Sequence, residues 1–114
     1  MGFAVLAFVA SAAPLHAHAF LDHAVPAVGS TVATAPAALE LDFTEGIEAA
    51  FSAVDVTAPS GVKLETNALE HPAANVLRLP LPRLAPGDYA VHWKVVSVDT
   101  HSTEGSFHFR VAAP

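Results

Sequence analysis

From Leu39 to the end of the chain, apolar and polar side chains alternate one for one in short runs. Leu39, Leu41 and Phe43 fall on one side of such a run, with Glu40 and Asp42 on the other. Val54 and Val56 flank Asp55, Val62 and Leu64 flank Lys63, and Leu77 and Leu79 flank Arg78. Tyr89, Val91, Trp93 and Val95 alternate with His92 and Lys94, and Phe107, Phe109 and Val111 with His108 and Arg110. Period two is the signature of strands with one buried face and one wet face. Turn residues punctuate the runs: Pro26 to Gly29, Pro36, Pro59-Ser60-Gly61, Pro72 and Pro86-Gly87-Asp88. No stretch sustains a 3.6-residue period, so helix is confined to at most one turn within 45–50. The pattern predicts an all-β fold, an immunoglobulin-like Greek-key β-sandwich of about seven strands.

The first twenty residues contain no charged side chain, and an apolar run extends from Phe3 to Ala13 before Pro14. This run is too short to span a bilayer, and no second one follows. It reads as a secretory signal peptide, although no Lys or Arg precedes it. Three cuts are open. Ala17-His18-Ala19 leaves Phe20 first, Leu15-His16-Ala17 leaves His18 first, and Ser11-Ala12-Ala13 puts Pro14 after the cut, a poor arrangement for a peptidase.

Five basic and eleven acidic residues give a net charge of −6, all of it beyond residue 17. An acidic surface argues against nucleic acid and anionic lipid as partners and mildly favours cations. There is no cysteine, so stability rests on packing without disulfides, and Met1 is the single methionine. Any metal held by the processed chain must therefore take nitrogen and oxygen ligands.

The stretch VSVDTHSTEGSFHFRV, residues 96–111, supplies candidates for such a role. Continuing the strand parity of Tyr89 to Val95 would bury Asp99 and His101, which is costly for a carboxylate. The strand therefore breaks near Val96 and Ser97, and residues 99–105 form a polar connection at one end of the sandwich. In extended chain, Asp99 and His101 project to the same side. An isolated Asp-x-His is more often a turn that bonds its own backbone.

The wider pattern changes that balance. Asp99-x-His101-x-x-x-Gly105-x-x-x-Phe109-x-Val111, after Tyr89-x-Val91-x-Trp93-x-Val95-Val96-Ser97, closely resembles the C-terminal signature of the CopC family, periplasmic copper-binding proteins of bacterial copper resistance. HAFLDHAVPAVGSTVATAPAALELDFTEGI resembles that family's opening: a histidine that becomes residue one, a Pro-x-x-Gly turn and an L-x-F-[ST]-E strand. The resemblance runs from His18 to Val111. It implies a signal peptide over 1–17, a domain over 18–114, and His18, Asp99 and His101 as Cu(II) ligands. Glu45 matches an acidic residue that sits near the copper in some members, as a further oxygen ligand or a group orienting the terminal amine.

The chemistry of those residues agrees. A free N-terminal histidine chelates through its α-amine and ring Nδ1, and His101 and Asp99 complete three nitrogens and one oxygen, a tetragonal set suited to Cu(II). The free amine, with a pKa of about 7.7, must lose its proton to bind, so affinity is expected to fall in mild acid. Some members carry a second, methionine-rich Cu(I) site. The corresponding stretch TAPSGVKLETNALEHPAAN has no methionine, so this resembles a Cu(II)-only member.

The remaining histidines carry bland readings. His92 and His108 face outward and could form an adventitious metal pair, His23 sits near the sheet edge or in solvent unless a bend in the amino-terminal strand brings it to the site, and His71 lies in a loop. Glu104 is read as a loop residue, and Trp93 and Tyr89 as core aromatics. The function expected is periplasmic sequestration of Cu(II) or its delivery to a CopD-like inner-membrane transporter, by a monomer without catalysis. Alternatives are a copper monooxygenase with an N-terminal histidine brace, a metal-free interaction module, and a zinc site with the same ligands. No nucleophile elbow and no glycine-rich phosphate loop is present.

Overall fold

The computed structural model describes residues 18–114, so the signal peptide read over 1–17 lies outside the described residues. Eight strands among the described residues form two four-stranded sheets. One sheet holds β1 (Leu21–Val25), β3 (Ala38–Phe43), β6 (Val76–Pro80) and β5 (Glu70–Ala73), in the order β1-β3-β6-β5 with antiparallel pairings. The other holds β2 (Thr31–Val32), β8 (Ser102–Val111), β7 (Gly87–Val96) and β4 (Ala53–Thr57), in the order β2-β8-β7-β4, with β2 parallel to β8. No helix among the described residues is long and apolar enough to cross a membrane.

The alternation does what its period requires. Leu39, Leu41 and Phe43 of β3 and Leu77 and Leu79 of β6 face Val54 and Val56 of β4, Tyr89 to Val95 of β7 and the aromatic side chains of β8. Phe43 meets Trp93 edge-on across the two sheets, with ring centroids 5.3 Å apart at 74°, an arrangement that the ring quadrupoles favour. At the far end of β7, Tyr89 stacks on Phe109 and donates its hydroxyl to the Ala85 carbonyl at 2.6 Å, four residues upstream. That bond is the tyrosine corner of immunoglobulin-like sandwiches. Tyr89→Phe is expected to cost about 1 kcal/mol in urea denaturation, the net worth of one part-buried hydrogen bond.

The hairpin β7–β8 is longer than the sequence pattern suggests. Its register runs unbroken from Gly87↔Val111 to Val96↔Ser102, so residues 102–105 are strand and the polar connection is only Ser97 to His101. Gly105 is the reason the pairing continues. It lies opposite Trp93, and a Cβ there would sit 2.5 Å from the indole Cζ2. The missing side chain lets the large ring lie over its partner strand. Glu104 is accordingly a strand residue, and its carboxylate contacts His92 Nε2 at 3.2 Å.

Two other expectations are corrected. Val62 and Leu64 form no strand: the stretch meets β4 through the isolated Thr57↔Lys63 bridge, Leu64 N–H to the Val56 carbonyl and the Lys63–Asp55 ion pair, and Val62 is exposed. His71 and Pro72 belong to β5, not to a loop. This edge strand is paired only with β6, where a proline without an N–H is tolerated. The single helical turn expected within 45–50 lies later, as a 3-10 turn at Ala49–Phe51.

Candidate metal centre

Three segments converge at one end of the sandwich. The first is the turn between β7 and β8. Parity carries inward as far as Ser97, which is fully buried, and the chain then leaves the core. Ser97 N–H donates to the His101 carbonyl at 2.9 Å, Thr100 N–H to the Ser97 carbonyl at 2.8 Å, and His101 N–H to the Ser97 hydroxyl at 3.3 Å. Thr100 takes the left-handed conformation, with φ of 68°, to close the turn. Asp99 and His101 therefore share a tight, hydrogen-bonded turn, not the extended segment that the i, i+2 argument assumed. Both are exposed at its tip.

The second segment follows β3. Val98 N–H donates to the Gly46 carbonyl at 3.0 Å, and Ser97 bridges to Ile47. Thr44, two residues earlier, bonds the chain at Phe20 through both its N–H and its hydroxyl. Glu45 thus lies between a residue tied to the amino-terminal segment and a residue tied to the turn, and is half-buried.

The third segment is His18-Ala19-Phe20. Ala19 is fully buried, and its carbonyl accepts a hydrogen bond from Thr103 Oγ1 at 2.5 Å. His18 is carried to the turn, where its ring lies 4.8 Å from that of His101, centroid to centroid, at 59°. Residues 83 positions apart in sequence therefore present two imidazoles to one spot on an open surface.

The four expected ligands divide accordingly. His18 and His101 are brought ring to ring, Asp99 shares the turn of His101, and Glu45 lies two residues past β3 in the segment joined to both. Among the described residues, no group of three or more His, Asp or Glu side chains stands ready-made around a metal position. The part of the candidate site that is already assembled is the imidazole pair. Such donors offer nitrogen and oxygen and no sulfur, chemistry that suits divalent copper or zinc.

Three of the other described histidines make contacts away from this turn. His23 on β1 contacts Asp42 at 2.9 Å and Asp22 at 3.4 Å. His71 Nε2 lies 3.0 Å from the Ala74 carbonyl. His92 and His108 do lie on neighbouring strands facing outward, with His92 bonded to the Ser106 hydroxyl at 2.9 Å. Thr44 and Thr103, which hold the amino-terminal segment, were missed by sequence reasoning. Their signals were slight: Thr44 fills the [ST] position of the L-x-F-[ST]-E motif, and Thr103 lies two residues beyond His101.

The CopC domain family model matches residues 21–112. Protein YobA of Escherichia coli is 40% identical over 98 residues, covering 83% of this chain and 79% of that protein. Among solved structures, CopC from Methylosinus trichosporium superposes with a TM-score of 0.75 at 33% identity, covering 83% of this chain and 94% of that one. PcoC, described as a methionine-rich copper resistance protein from Escherichia coli, superposes with a TM-score of 0.73 at 30% identity, covering 83% and 99%.

Proposed function

The chain belongs to the CopC family, and from that premise we propose that it is an exported, periplasmic Cu(II)-binding protein that sequesters copper or delivers it to a CopD-like membrane transporter. The observation that carries the reading is the meeting of His18 and His101, 4.8 Å apart. Nothing in the packing of a small sandwich requires two exposed imidazoles from opposite ends of the chain to face each other. Two nitrogen donors at one point are what a borderline cation requires.

Removal of residues 1–17 as a signal peptide adds the third nitrogen, the α-amine of His18. The burial of Ala19 and the bond to its carbonyl favour this cut. Cleavage after Ala19 would discard a core residue along with the first imidazole. Asp99 supplies the oxygen donor, and Glu45 is an axial ligand or a partner for the amine. PcoC is called methionine-rich, whereas the only methionine here is Met1, so no thioether remains to hold Cu(I). The exposure of Asp99 and His101 suits a carrier, because an acceptor's ligands can replace them one at a time without unfolding the domain.

Calorimetric titration of the processed protein with Cu(II) is expected to show one tight site, to outcompete equimolar Zn(II), and to leave the ion as Cu(II) under ascorbate. A flat titration would remove the metal reading altogether. Reductant-dependent hydrogen peroxide release would turn it towards an oxidising enzyme.

A further inference from the structure

We infer that Thr44 and Thr103 are positioning residues for His18, forming a clamp from both sheets that holds the amino-terminal end of the chain in register with His101. The inference rests on the reading of His18 and His101 as copper ligands. Thr103 lies on β8, opposite Val95, and gives its hydroxyl proton to the Ala19 carbonyl. Thr44 follows β3 in the other sheet. Its hydroxyl accepts the Phe20 N–H at 3.0 Å while its own N–H donates to the Phe20 carbonyl at 2.8 Å. Three hydrogen bonds thus fix two consecutive residues, and the Ala19 methyl is buried between the sheets.

The connectivity makes this a registration device. His18 is one residue from the carbonyl that Thr103 holds, and His101 is two residues from Thr103. The separation of the two rings is therefore set by one hydrogen bond and two short stretches of chain, with little slack. β1 begins only at Leu21, so His18, Ala19 and Phe20 lie outside its ladder. Chain ends without such ties fray. Branching at Cβ stiffens χ1, so a Thr hydroxyl in strand-like backbone has few directions open to it. Ordering the chain end in advance removes that entropy loss from the binding step.

A purely structural role would lower stability and leave metal affinity alone. Thr103→Val and Thr44→Val keep shape and remove the hydroxyl, and Thr103→Ser and Thr44→Ser restore it. In the processed chain beginning at His18, each Val variant is expected to bind Cu(II) about three- to tenfold more weakly by chelator competition, the worth of one hydrogen bond. Its Cu(II) electron paramagnetic resonance lines should broaden as the His18 geometry spreads. The Ser variants should return both towards wild type. In metal-free protein the Phe20 amide should exchange faster in Thr44→Val. Unchanged affinity and line shape in both Val variants would overturn the clamp while the copper reading stood. Failure of the wild-type protein to take up one Cu(II) would overturn that reading, and this inference with it.

Discussion

A chain whose His18 α-amine is acetylated is expected to hold Cu(II) roughly 10²–10⁴-fold more weakly than a chain that begins at a free His18, the range by which a tethered second donor raises affinity. Acetylation leaves every side chain in place and alters one atom's chemistry. As a free amine, the His18 nitrogen offers a lone pair and closes a chelate ring with Nδ1. As a peptide nitrogen its lone pair is delocalised into the carbonyl, and the ring cannot form without removing an amide proton. Binding should weaken but persist, because the His18 and His101 rings already face each other in the full 114-residue chain. The fold should be indifferent, since the anchors at Ala19 and Phe20 lie on the other side of His18. Chelator competition at fixed pH reads the affinity, and thermal denaturation without metal provides the control. Equal affinities would mean that the amine is no ligand, and that the imidazole pair with the Asp99 turn does all the binding.

The same comparison separates what the amino-acid sequence displays from what only the folded chain can show. Strand alternation was legible because each buried position lowers the free energy independently, so β3, β4, β6, β7 and the second half of β8 are marked residue by residue. The first half of β8 was not. Ser102 to Gly105 are polar or small, and their pairing with Val96 to Trp93 depends on the room Gly105 leaves for an indole on another strand. Val62 and Leu64 err in the other direction: two alternating residues mimic a strand, but isolated backbone bonds to Val56 and Ala58 and one bridge at Lys63 do not build a ladder. At the site, the family pattern singled out His18, Asp99, His101 and Glu45. It could not reveal that Asp99 and His101 sit on a turn closed by left-handed Thr100 and the buried Ser97. The threonine contacts were invisible for a related reason. A hydroxyl on a strand is ordinary in sequence, and acquires its role only when residues 84 positions away arrive within hydrogen-bonding distance.

Phe43→Ala is expected to cost about 3–5 kcal/mol in urea or thermal denaturation, the usual range for deleting a buried aromatic ring. Two features put it towards the top of that range. Trp93 is confined between Gly105 on its own sheet, where a Cβ would clash, and the Phe43 ring across the core. Removing Phe43 strips the indole of its edge-on partner, and no neighbouring side chain at Gly105 can swing in to fill the space. The backbone cannot collapse into the gap either. Phe43 N–H donates to the Asn75 carbonyl at 2.8 Å, and the Phe43 carbonyl accepts from Asn75 Nδ2 at 3.0 Å, which pins this end of β3. Against a total stability of about 5–15 kcal/mol for a domain of this kind, the loss could unfold a large fraction of the protein at physiological temperature. Phe51→Ala is the matching control: that ring is 74% exposed, and its removal should change stability by no more than about 0.5 kcal/mol. Phe43 directly precedes Thr44 and Glu45, so the substitution should also loosen the residues that hold His18 near His101. Cu(II) affinity should then fall alongside stability in Phe43→Ala and stay at the wild-type value in Phe51→Ala. A Phe43→Ala protein less than 1 kcal/mol below wild type would mean that the Phe43–Trp93 contact does not close this end of the core, and that the site is supported from elsewhere.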